Sequence, residues 1–208
     1  TGSGLLAVSD AITLDGGTLT IGSGGYTGTI NGFNATEGAL VFAATQNTGG
    51  AIGGVNALST VTVNNGATVT LDENLTATTV IVGSGASGVL TQTAGTLTGA
   101  VTVASGGTYN YNGGSLVGSV NGTGAGVGTF NVNQDYTSTA GIGTNNALAA
   151  VNVAAGDTLT LGGNLAATLT TITGALDFDD SGIDSNRTVT GSLTTTGGDA
   201  SLELGTGQ

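Results

Sequence analysis

"NALSTVTVNNGATVTLDENLTAT", residues 56–78, is the stretch on which the fold of this chain turns. Val61, Val63, Val69 and Leu71 occupy one set of pleat positions, and Thr62, Thr68 and Thr70 occupy the other. A period of two marks strands with one face turned inward. Between the two runs stands "NNG" (64–66), which supplies the positive φ that a tight corner demands.

Moved along the chain by 90 residues, the stretch falls on "NALAAVNVAAGDTLTLGGNLAAT" (146–168). Upstream, "GTINGFNATEG" (28–38) falls on "GSVNGTGAGVG" (118–128). Residues 16–83 align with 106–173 without a gap and give 24 identities in 68. Composition alone gives roughly one in eight, so the repeat is real. We read one domain over 1–208, with copies at roughly 16–105 and 106–195 and a partial third at 196–208.

A shorter rhythm lies inside each copy. Strand-like triplets recur near 61–63, 80–82 and 101–103, and again near 69–71, 89–91 and 109–111. Short strands returning every ~20 residues between glycine corners describe an all-β protein, a β-solenoid with parallel coils. Its coils stack at about 4.8 Å, so ten of them predict a rod of about 50 Å. Val61, Val63, Leu71 and Leu75 are expected inside, with Val151, Val153, Leu161 and Leu165 in the matching places. The threonines form outward ladders. An immunoglobulin-like sandwich fits less well, because it needs larger core residues and usually a central Trp, which this chain lacks.

Composition narrows the function. Glycine supplies 41 of 208 residues, about three times its usual share, and proline is absent. There is no His, Cys, Met, Trp or Lys, which removes the commonest general base, the thiol nucleophile and the usual zinc ligands. A net charge of −12 with one Arg leaves no surface to neutralise phosphates, so nucleic acid is not an expected partner. No apolar run approaches the ~20 residues of a membrane helix. With no leader visible and Thr1 first, a processed or excised piece is expected.

The phrase "IGGVNALSTVTVNNGATVTLDENLTAT", repeated as "IGTNNALAAVNVAAGDTLTLGGNLAAT", resembles the passenger regions of bacterial autotransporters. It is especially similar to the rickettsial outer-membrane protein B type, which coats the cell as a surface layer. The resemblance covers most of 16–173 and implies a right-handed parallel β-helix exported to the cell surface as coat, stalk or adhesin. The expected function is therefore an extracellular structural rod without enzymatic activity, and the alternative is an adhesin module for a host receptor or glycan. Self-association is expected, end to end or within a longer rod, because terminal coils present unpaired strand edges.

Three motifs compete with that reading. "GSGASG" (83–88) satisfies the dinucleotide fingerprint, but strand-like sequence follows it where a helix is required. Asn-x-Ser/Thr sequons occur at Asn34, Asn74, Asn121 and Asn186, where asparagine also suits a corner. The third is "LDFDDSGIDSNR" (176–187), which concentrates Asp177, Asp179, Asp180 and Asp184 beside Arg187, the chain's one cation. Asp177, Asp179 and Ser181 take positions one, three and five of a calcium loop, with Gly182 at six. Thr188 stands where the bidentate Glu should be, so Asp180 or Asp184 is the candidate to complete a weak calcium site. A solvated acidic corner is the competing reading. The first copy carries no acid in the corresponding "SGASGVL" (84–90), so the coil itself does not require these carboxylates. Paired-carboxylate hydrolysis is a further alternative, disfavoured by the lack of a basic, aromatic cleft.

Overall fold

The computed structural model describes residues 4–7, 10–178, 187–197 and 200–203. Among these there is no helix; short strands pair in parallel as a β-solenoid of about 9 turns with about 21 residues per turn. Nine coils at strand spacing make a rod of about 43 Å.

Each coil contributes three strand positions, giving the rod three faces. On face 1 the inward ladder runs Leu19, Leu40, Val61, Val80, Val101, Val120, Ile142, Leu165, Val189. Face 2 carries Leu6 and Tyr26, then Gln46, Val69, Leu90, Tyr109, Phe130, Val151, Thr170 and Leu193. Face 3 carries Ile12, Ile30, Ile52, Leu75, Leu97 and Leu116, then Tyr136, Leu159, Leu176 and Leu202. Steps between partners vary from 17 residues (Leu159 to Leu176) to 26 (Leu176 to Leu202), so corner length absorbs the differences.

The expected core is in place. Val61, Val63, Leu71 and Leu75 are buried, as are Val151, Val153, Leu161 and Leu165. Thr62, Thr68 and Thr70 alternate with them at half-buried outward positions. The outward ladder is not threonine throughout. On face 2 the amide of Asn152 donates to Asn131 Oδ1 and that of Asn131 to Asn110 Oδ1, both at 2.8 Å.

The two copies do not lie above one another. Four turns of about 21 residues use about 84 of the 90-residue shift, and the remaining 6 carry the chain onward by about one face. Val61 on face 1 therefore has its counterpart Val151 on face 2, where it pairs with Phe130. Leu75 on face 3 has its counterpart Leu165 on face 1. The repeat preserves inward and outward, and rotates the rest by about a third of a turn.

Corners obey the same rule. Asn31 Oδ1 accepts the amide of Val55 at 3.0 Å, and Asn121 Oδ1 accepts that of Asn145 at 3.0 Å. Asn74 Oδ1 takes the amide of Thr96 at 2.8 Å, and Asn164 Oδ1 that of Thr188 at 2.9 Å. Each asparagine satisfies a backbone donor of the following coil that the strand ladder does not reach.

Candidate functional site

Of the proposed calcium ligands, only Asp177 lies among the described residues; Asp179, Asp180, Ser181 and Asp184 lie outside them. Asp177 sits half-buried on the strand Ala175–Phe178, where its Oδ2 accepts from Thr160 Oγ1 at 3.4 Å. Among the described residues, no three His, Cys, Asp or Glu side chains gather as a metal cluster.

The glycine fingerprint at 83–88 is a corner. Gly83 and Gly85 take φ of 79° and 111°, and a strand, Val89–Gln92, follows. No helix N-terminus faces the loop, so the feature that would hold a pyrophosphate is missing at this place. The sequons also resolve in part. Asn121 is buried and its Nδ2 donates to Ser119 Oγ at 3.0 Å, so it offers no free amide nitrogen for a glycan. Asn74 is exposed, and it is its Oδ1 that is engaged, by the amide of Thr96. Asn34 is exposed and donates to Glu37 at 3.1 Å, while Asn186 lies outside the described residues.

The most distinctive chemistry is inside the bore, and sequence reasoning missed it. All four tyrosines are buried. Tyr109 stacks on Phe130 with centroids 5.2 Å apart, Phe130 meets Tyr136 edge-on at 6.0 Å, and Tyr136 lies 4.8 Å from Tyr111. Tyr109 Oη donates to Gln92 Oε1 at 2.5 Å, and the Gln92 amide donates to Ser115 O at 2.8 Å and Gly95 O at 3.3 Å. A fully buried glutamine is thus satisfied by a tyrosine of its own face and two carbonyls of the next. Burial pushes the phenols of Tyr26, Tyr109, Tyr111 and Tyr136 above their ordinary range, so they stay neutral and do not serve as bases near pH 7.

Beside this cluster the wall is open. The ladder on face 3 breaks between Ser115–Val117 and Tyr136–Ser138, which share no strand pairing. A cavity of about 310 Å³ lies there, lined by Tyr111, Ser115, Leu116, Val117, Tyr136, Thr137 and Thr139. The lining carries hydroxyls and apolar surface and no charge. The buried Tyr136 Oη has no hydrogen-bond partner. The only sequence signal for this place is the aromatic density at 109–111, 130 and 136.

One buried polar group has a counterpart that explains it. Thr170 is fully buried with Oγ1 unpartnered, and it occupies the position held by Val80 in the first copy. Replacing Thr170→Val keeps the shape and removes an unmade hydrogen bond, so it should stabilise the fold by about 1 kcal/mol. Thermal unfolding measures this, and an unchanged or lowered melting temperature would contradict it.

No protein-family model matches the chain, and neither curated proteins nor solved structures give a match.

Proposed function

We propose that this chain is a non-enzymatic structural rod of an extracellular surface coat or stalk, of the kind its resemblance to autotransporter passengers implies. The observation that supports it is the continuous inward ladder of face 1, from Leu19 to Val189, under flanks of Thr and Asn. A rod of this build spans distance with few charges, and its coils can stack on further coils of the same chain or of another copy. Immunogold labelling of the producing cell should mark the outer surface, and labelling confined to the cytoplasm would overturn the proposal. Light scattering of the purified chain tests end-to-end association, for which a strictly monomeric particle at high concentration is the contrary result. On this reading the rod needs no bound calcium. An unchanged melting temperature in millimolar calcium is then the expected result.

A second reading, an adhesin, is favoured by one observation. Phe33 and Val55 are exposed by 59 % and 83 %, and the corners that carry them are linked by the Asn56 amide donating to Phe33 O at 2.9 Å. Their counterparts in the second copy are Thr123 and Asn145. Saturable binding to host-cell surfaces that is lost in Phe33→Ser/Val55→Ser would move the assignment to that class.

A further inference from the structure

The break on face 3 has an equivalent in the first copy. On face 2, Tyr26–Thr27 and Gln46–Asn47 share no pairing, and these strands are the 90-residue counterparts of the two that flank the cavity. Both breaks hold a buried polar group without a partner: the Gln46 amide at one and Tyr136 Oη at the other. Elsewhere among the described residues the three inward ladders run coil to coil without interruption.

Ring volume explains where the breaks fall. Every ring-to-ring contact among the described residues lies in the coils that flank one of them, Tyr26–Phe42 at the first and the Tyr109, Phe130, Tyr111 and Tyr136 cluster at the second. In the other coils the fully buried apolar side chains are Val, Leu, Ile and Ala, which are smaller, and the one further ring packed against the core, Phe178, is only partly buried. A ring wedged into a bore sized for valine forces the wall outward, and the wall yields on one face. At the second break, face 1 still pairs through Val120 and Ile142, and face 2 through Tyr109 and Phe130. Those two faces hold the rise at one strand spacing, so the gap cannot admit an added strand.

We propose that each break is a flexure: a level at which two faces keep their ladders and the third has none, so that the rod bends and exchanges there first. At the first break Tyr26 Oη still donates across it to Gly50 O at 2.9 Å. Because the repeat advances by about a third of a turn, the two flexures open in different directions. Bending then does not accumulate toward one side, and a straight rod keeps its mean axis while gaining compliance. This rests on the structural-rod reading only for its biological use; the flexure itself is a property of the fold.

Hydrogen–deuterium exchange of the intact chain tests it. Ser115–Val117, Tyr136–Ser138, Tyr26–Thr27 and Gln46–Asn47 are each paired on one side only. Their break-facing amides should exchange at least about tenfold faster than the amides of the short strands Ile30–Gly32 and Val120–Gly122, which are paired on both sides. Equal rates would overturn the proposal whatever the cell-surface labelling shows. Tyr136→Leu, which copies Leu159 one coil on, should slow exchange at the second break and leave the first unchanged. If Tyr136→Leu folds and the second break still exchanges as in the parent, ring volume is not its cause. If that variant does not fold, the comparison of strands in the parent chain decides alone.

Discussion

Gly143→Ala should destabilise the rod by about 4 kcal/mol and lower its melting temperature by about 10 °C. Two separate costs act at this residue. Its φ is +69°, a conformation that residues with a side chain adopt only under strain. A Cβ there would also stand 1.9 Å from the carbonyl oxygen of Ala166 in the next coil. Neither backbone can retreat, because Gly143 N donates to Val120 O at 2.6 Å on one side and Ala166 N donates to Ile142 O at 2.8 Å on the other. Gly53 repeats the arrangement with φ of +67° and Thr76 O at 2.0 Å, so Gly53→Ala should behave alike. Gly156 separates the two costs. It has a φ of +83° but open space around the added atom, so Gly156→Ala should cost only about 1 kcal/mol. Equal melting temperatures for Gly143→Ala and Gly156→Ala would show that close approach of the coils contributes nothing.

These glycines show how much was legible in the sequence. "IGG" (52–54) and "IGT" (142–144) align in the repeat, so a shared backbone role could be read there without coordinates. Alternation at Val61, Val63, Val69 and Leu71 gave inward and outward correctly, because pleat parity is a local property. The one-face rotation between copies was not legible. It depends on the remainder when 90 residues are divided by a turn of about 21, and a turn taken as ~20 residues gives too uncertain a remainder to choose a face. The breaks were hidden for another reason. Alternation places Tyr136 inward as readily as Leu159, and only stacking shows that rings of neighbouring coils meet in one narrow bore. The acidic stretch was conspicuous by composition, yet of its proposed ligands only Asp177 falls on a described strand.

The same buried rings give the chain an unusual response to pH. With no His, Cys or Lys, no side chain titrates between the carboxylates and the tyrosines, so stability should be nearly flat from about pH 6 to about pH 9. Above that range it should collapse. Burial raises the phenols of Tyr26, Tyr109 and Tyr136 above the unfolded value of 10.0, with the carboxylates Asp72 and Glu73 adding to the shift at Tyr26. A group whose folded pKa is raised favours the fold fully below its unfolded pKa. As pH rises past 10.0 the unfolded chain releases protons that the folded chain keeps, and stability is lost until the folded pKa is reached. Each such tyrosine removes about 1.4 kcal/mol per pH unit, so three together remove about 4 kcal/mol per unit above roughly pH 11. Against an ordinary stability of about 5–15 kcal/mol, that suffices to unfold the rod within a few units. Circular dichroism and phenolate absorbance, followed together from pH 7 to about pH 12.5, should change in one cooperative step. Tyr136→Phe should move the step upward, since it removes one of the three protons and also the unpartnered hydroxyl. Phenolate appearing gradually from pH 10 under an unchanged strand spectrum would mean that the rings are open to solvent in the folded rod.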